Sequence, residues 1–301
     1  MFCFVANRRR RRNFRNVELS PKRAKRGPRS STSGGARARN TFVSNEQSLT
    51  WPTERVSQTA AHRPRNLILA QLPSEEYAAL FRHLTSVELP QGKRLSEPNL
   101  PIEYIYFPNT GLISTDALTL TGEQVEVGVI GREGFSGLPA LFGQPQMSHT
   151  VIMQGAGEGY RIRASILRAE FLKPGQLQKL VHAFCYLQFA QITQSVLCNR
   201  LHEVEARLAR WMLTSADRTE TETLHLTQEF LSQMLGVQRS TVTVAAGELQ
   251  RAGLIGYSRG HIRILNRPGL AERACECYSI VNASYERVLR RTPAGDITYI
   301  L

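Results

Sequence analysis

The stretch LTQEFLSQMLGVQRSTVTVAAGELQRAGLI, residues 226–255, holds two helical patterns on either side of one glycine. Thr227 stands where an N-cap belongs, and Glu229 in the first turn complements the helix dipole. Phe230, Leu231, Met234 and Leu235 form one apolar face, and Gly236 ends the pattern as a residue tolerant of left-handed backbone. A second helix is predicted from about Gln238 to Ala252, with Val242, Ala245, Ala246 and Leu249 buried at i, i+3, i+4 and i+7. Two short helices around a glycine corner are the sequence form of a helix-turn-helix.

The opposite face of the second helix carries Ser240, Val244, Gly247 and Arg251, with Thr243 beside them. Exposed helix faces normally carry long charged side chains. A small face lets a helix axis sink into the DNA major groove. Gln238 and Arg239 fall in the first turn, the part of a recognition helix that reaches base edges. Arg239 could make a two-point contact to guanine, and Val244 could touch a thymine methyl. Gln238, Thr227 or Thr241 could bond phosphate oxygens. Downstream, Ile262 and Ile264 alternate with His261 and Arg263 behind a turn at Arg259-Gly260, as in a two-stranded wing. The candidate DNA-contacting set is therefore Thr227, Gln228, Gln238, Arg239, Ser240, Thr241, Thr243, Val244, Arg259 and His261. The competing reading is an ordinary surface motif.

Upstream, Gln176 to Asn199 holds no proline or glycine. Leu177, Leu180, Phe184, Leu187, Gln191, Gln194, Cys198 and Leu201 run at spacings of three and four. A stripe this long fits a seam between two subunits, the alternative being a helix buried in its own subunit. Asn66 to Leu84 is helical, broken at Pro73-Ser74. Between Glu88 and Phe171, short apolar runs (102–107, 112–118, 125–130 and 150–154) alternate with glycine, proline and asparagine. They predict a small sandwich or barrel, with a hairpin turn at Thr121-Gly122. Gly131, Gly134 and Gly137, and then Gly155, Gly157 and Gly159, lack the phosphate-cradling order and read as turns.

Charge is concentrated. Residues 1–65 hold 16 of the 38 basic and 3 of the 25 acidic residues, leaving 22 of each sign in 66–301. The folded part is neutral, so its pI alone says nothing about DNA. The basic segment lacks hydrophobic periodicity and is expected to be disordered. It reads as a phosphate-contacting arm, a targeting peptide or an extension without function. No apolar run approaches the roughly 20 residues a membrane span needs, so a soluble, cytoplasmic protein without membrane partners is expected.

The five cysteines (Cys3, Cys185, Cys198, Cys275 and Cys277) match no zinc module or four-thiolate cluster by spacing. Cys275 and Cys277 on one helix would point about 200° apart and could not share a metal. His202-Glu203 lacks the second histidine of a zinc-protease motif, Ala206 standing in its place. No catalytic constellation emerges, so no enzyme is expected. All five cysteines read as reduced thiols, with no metal.

At these residues the chain resembles the Crp/Fnr family of bacterial transcription regulators. The 226–255 stretch is similar to that family's helix-turn-helix, including QRSTV where a recognition helix starts, and GREGFSGLPALFG (131–143) to its phosphate-binding cassette. The resemblance covers about 66–270. It implies an α+β chain: an N-terminal β-roll (a double-stranded β-helix, cyclic-nucleotide-binding-like), a long dimerisation helix and a C-terminal winged helix-turn-helix. The corresponding spans are 1–65 basic extension, 66–175 β-roll, 176–202 dimerisation helix, 203–270 DNA-binding domain and 271–301 helical tail. Double-stranded DNA, a second copy of the chain and RNA polymerase are the implied partners. The alternative is a ligand or partner sensor whose DNA domain is vestigial.

The ligand pocket departs from the pattern. Cyclic-AMP-binding members carry a Gly-Glu pair and an Arg-Ser pair; here Gly137 precedes Leu138, and Met147 precedes Ser148. A phosphate buried without a cation is costly, and Thr193, at the family's adenine contact, cannot replace the lost pair. Cyclic AMP is therefore not expected, and Cys3 alone cannot supply the N-terminal iron–sulfur ligands of other members. No cofactor is implied. In the recognition helix Ser240 replaces an expected acid and Val244 a second arginine, so the operator cannot be carried over.

Overall fold

The computed structural model describes residues 64–258, 260–291 and 297–299. The expectations for the basic N-terminal segment and for Arg259 lie outside the described residues.

Two short helices, α1 (Leu67–Ala70) and α2 (Ser74–Phe81), open the fold. Asn66 fastens α1 from both ends of its amide. Its Oδ1 accepts from the N–H groups of Ile68 and Leu69, and its Nδ2 donates to the carbonyls of Pro108 and Gly134 at 3.1 and 2.7 Å. Seven strands follow: β1 (Thr85–Leu89), β2 (Arg94–Ser96), β3 (Tyr104–Pro108), β4 (Leu112–Leu118), β5 (Gln124–Ile130), β6 (Thr150–Gly155) and β7 (Gly157–Arg163). They pair antiparallel in two sheets, ordered β2-β6-β4-β5 and β1-β7-β3. Leu89, Ile105, Phe107 and Ile162 from one sheet share a core with Ile113, Ile130, Val151 and Met153 from the other. A 3₁₀ turn, Leu138–Phe142, lies between β5 and β6.

Gly157 and Gly159 are not turn residues, as their spacing suggested, but lie within β7. A Cβ on either would stand 2.1 and 2.2 Å from the carbonyl oxygens of Thr110 and Phe107. The strand needs glycine because another backbone runs against it.

Helix α3 (Ala164–Phe171) leads to α4 (Gln176–Leu201), 26 residues long. Gly175 offers α4 no side-chain cap. The Glu76 carboxylate does so from α2, accepting from the N–H groups of Gln176 and Leu177 at 2.9 and 2.8 Å. Negative charge at that end also suits the helix dipole. The stripe that suggested a subunit seam is turned inward instead. Leu177, Leu180, Phe184, Leu187, Gln191 and Cys198 are buried within the subunit. Phe184 stacks on Phe135 at 5.0 Å, and Gln191 bonds both the N–H and the carbonyl of Val129. Another face of α4 carries the exposed apolar residues Tyr186, Phe189, Ile192, Val196 and Leu197.

The C-terminal half comprises α5 (Val204–Thr219), β8 (Thr223–His225), α6 (Gln228–Leu235), α7 (Arg239–Arg251), β9 (Ile255–Ser258) and β10 (His261–Ile264). The three strands form a sheet ordered β8-β10-β9. Leu208, Met212, Leu231, Val242, Leu249 and Ile262 build its separate core. Helices α8 (Arg267–Arg273) and α9 (Cys277–Val288) follow, and α9 returns Val281 and Tyr285 to the first core. The tail is not helical throughout: β11 (Leu289–Arg291) and β12 (Ile297–Tyr299) pair antiparallel. Among the described residues, no helix is long and apolar enough to cross a membrane. The whole is an α+β chain of β-roll, long helix and winged helix-turn-helix.

Candidate nucleic-acid interface

Thr227 caps α6, its Oγ1 accepting from the Phe230 N–H at 3.2 Å. Gly236 closes α6 at φ +61°, where a side chain would strain the backbone. Its N–H donates to Gln233, and that of Val237 to Ser232, so the last carbonyls are satisfied as the chain turns the corner. Arg207 on α5 adds a further bond to the Leu235 carbonyl from a buried guanidinium.

Helix α7 is embedded on one side through Val242, Ala245, Ala246 and Leu249, the four positions expected. Its other side is open. Arg239, Ser240, Thr241, Thr243 and Val244 are exposed, and a Cβ on Gly247 would meet nothing within 4 Å. Val244 is 63% exposed, high for a valine in a folded domain. Gln238 occupies the N-cap with extended backbone and no capping side-chain bond. Thr243 is tied back, its Oγ1 3.0 Å from both Gln228 Oε1 and the Arg239 carbonyl. It therefore positions Gln228 against α7 as much as it faces outward.

In the wing, Ile262 and Ile264 are buried and His261 and Arg263 exposed. Ser258 pairs with His261, and Gly260 turns the hairpin at φ +83°. The His261 ring meets that of His225 on β8, Nδ1 to Nδ1 2.8 Å. Tyr257 was missed by the sequence reading. Burial pushes its phenol up, against the charge of Arg239 and a backbone bond from Gln228. Gln228 of α6 is thus reached by Thr243 of α7 and by Tyr257 of the wing.

The residues of the altered ligand pocket differ in exposure. Gly137 is buried at the start of the 3₁₀ turn with Leu138 packed on the core. Met147 is buried, while Ser148 and Thr193 are exposed. A cleft of about 530 Å³ does open between the roll and the C-terminal domain, but other residues line it, among them Thr110, Gln154, Ser215 and His225.

A polar layer that the sequence pattern did not reveal joins the two halves. Glu126 on β5 is half-buried. It accepts from Trp211 Nε1 of α5 at 2.8 Å, Gln154 Nε2 at 2.7 Å and the Ser114 hydroxyl at 2.9 Å. Burial, and then the nearby Asp116 carboxylate, push its pKa up to about 7 against those three donors. Asp116 is itself held above its usual range by burial. The Ser114 hydroxyl also lies 3.6 Å from Met234 Sδ on α6, and Gln124 bonds Gln233 at 3.2 Å.

Residues 206–273 match the family model of the Crp-like helix-turn-helix domain. No curated protein matches the chain. Among solved structures, it is similar to a crp/fnr-family transcriptional regulator from Eubacterium rectale (18% identity, TM-score 0.56, covering 67% of this chain and 94% of that one). FixK2 from Bradyrhizobium japonicum matches at 17% identity and TM-score 0.53, covering 64% and 98%. A CRP/FNR-family regulator from Thermus thermophilus matches at 23% identity and TM-score 0.54, covering 63% and 98%. These likenesses show the fold, and the family model identifies the DNA-binding domain within it. Residues 206–273 thus carry a Crp-like helix-turn-helix domain, on a chain whose fold is that of crp/fnr-family transcriptional regulators.

Proposed function

We propose that the chain is a homodimeric, sequence-specific transcription regulator that reads a two-fold symmetric operator through α7. One observation carries this reading: α7 buries Val242, Ala245, Ala246 and Leu249 and leaves a small, open outer face led by Arg239. A helix so presented can enter the major groove until Arg239 reaches base edges. Thr227, Gln238, Thr241, His261 and Arg259 serve the flanking phosphates, which set register without reading sequence.

The dimer is proposed through α4, by a face other than the one its sequence period suggested. Phe189 is 72% and Val196 65% exposed. With Tyr186, Ile192 and Leu197 they form an apolar strip along the helix, as a two-helix seam requires. Two α7 helices related by the dimer axis would then meet two half-sites about one helical turn apart. Action in the cytoplasm, contact with RNA polymerase and regulation through the β-roll complete the reading.

The test is footprinting of the full chain on an operator selected from genomic DNA. Arg239→Ala should weaken specific binding by roughly 1–3 kcal/mol and relax one base position. Equal protection of the same operator by the variant would remove Arg239 from the reading role.

A further inference from the structure

Four groups the DNA interface does not use converge where α4 ends. Cys198 lies in the last turn of α4, and His202 is its C-cap. Cys275 follows α8, and Cys277 begins α9. The premise that separated the last two cysteines fails here. Ala274 is extended (ψ 148°), so the chain breaks between α8 and α9, and Cys275 and Cys277 are not on one helix. Both turn toward α4.

The Sγ atoms of Cys198 and Cys275 are 3.5 Å apart, and Cys277 Sγ is 3.3 Å from His202 Nδ1. One ligand atom from each of the four lies within 4.8 Å of all the others. A tetrahedral zinc site, with Zn–S of about 2.3 Å and Zn–N of about 2.0 Å, has edges of roughly 3.5–3.8 Å. The observed spacings bracket that cage. The three cysteines are buried, and around them the structure supplies what ligands need. His202 Nε2 is 3.1 Å from Glu276 Oε1, the carboxylate–histidine pairing that turns the other ring nitrogen toward a metal. Gln194 Nε2 lies 3.1 Å from Cys277 Sγ. Three thiolates around a dication leave one net negative charge, and Arg207 and Arg210 both act electrostatically on Cys198.

We propose that Cys198, His202, Cys275 and Cys277 form a structural site for one Zn²⁺ ion, stapling the end of the long helix to the α8–α9 junction. Four protein ligands close the coordination sphere, so the site is structural rather than catalytic. Binding breaks three S–H bonds and releases their protons to solvent, forms three Zn–S bonds and one Zn–N bond, and changes no oxidation state. The ion would hold α9 against α4 and set the angle at which the chain leaves α4 for the DNA-binding domain. The proposal is independent of operator reading.

The experiment uses the tag-free full chain, purified reduced from zinc-supplemented medium. Elemental analysis should find about one zinc per chain. Exchange for Co²⁺ should give the intense visible bands of a tetrahedral site with a sulfur-to-metal band beside them. Cys198→Ser and Cys277→Ser should lose the metal, and Cys185→Ser, on the same helix but outside the cluster, should keep it. His202→Cys should retain a four-thiolate site, which keeps the test decisive if the serine variants fold poorly. Glu276→Gln should weaken zinc binding about 10-fold while leaving it measurable. Reduced wild type that holds no zinc after incubation with Zn²⁺ and gel filtration would overturn the proposal. So would an octahedral Co²⁺ spectrum, or freshly purified protein whose Cys198 and Cys275 are joined as a disulfide and which takes up no metal on reduction.

Discussion

Helices α7 and α4 were both read by the same rule of spacing, yet only α7 was turned the right way. In α7 the apolar residues occupy one face and small or polar ones the other, so the period also reveals what covers the helix. In α4 apolar side chains occupy more than one face. The more regular stripe, Leu177 through Cys198, belongs to the subunit's own core, and the less regular one, around Phe189 and Val196, is exposed. A period identifies which residues share a face. It does not identify the neighbour, and the dimer proposed through α4 would need the second apolar face.

The sharpest test of that contrast compares two phenylalanines five residues apart. Phe184→Ala should cost roughly 3–5 kcal/mol of stability, because a fully buried ring leaves a cavity. Phe189→Asp should leave the fold intact while weakening the proposed dimer by at least about tenfold. Denaturant unfolding and analytical ultracentrifugation measure the two effects. If Phe189→Asp stays fully dimeric and Phe184→Ala yields a folded monomer, the two faces have been assigned the wrong way round.

A smaller effect comes from the layer between the halves. Glu126 has its folded pKa raised to about 7 from an ordinary 4.5. For a raised pKa, the stabilising contribution is complete below the unfolded value and disappears as pH rises through the folded one. Wild type should therefore lose stability as pH rises from about 4.5 to 7, with a slope of at most roughly 1.4 kcal/mol per pH unit. Glu126→Gln should flatten that part of the profile, measured by urea unfolding across the range. Parallel profiles for the two chains would remove Glu126 as the cause.

The smallest expected change is on α7. Val244→Ala should alter stability by less than about 0.5 kcal/mol, since the side chain packs on nothing that folding requires. Its effect should appear instead as a loss of under tenfold in operator affinity, confined to sites with thymine at the contacted position. A stability loss without a binding loss would place Val244 in the core.

Much of the architecture was legible because its signals are local. Thr227 and Gly236 mark the ends of α6 by their own chemistry, and Ile262 and Ile264 announce the wing by alternation. Strands β4, β5 and β6 were visible as apolar runs bounded by turn residues. Strands β1 and β2 were not, being short, half-exposed and mixed in polarity. Strand β7 was hidden by glycines needed for a close backbone approach, and Ser114, Asp116 and Glu126 by their polarity, the first two being buried and the third half-buried under α5 and α6. The Cys198, His202, Cys275 and Cys277 cluster was illegible for a different reason. Its members come from two segments some 70 residues apart, and the break at Ala274 that brings Cys275 and Cys277 to one side leaves no mark in spacing.

The Trp211–Glu126 bond means that the two halves share a wall and not only a tether. Strand β5 holds the carboxylate, α5 supplies the indole, and α6 rests on the same strand through Gln233. A displacement of β5 within the roll would bear on α5 and α6 directly, without first travelling the length of α4. Helix α7, packed on α5 and α6, thus rests by way of both on a sheet of the roll.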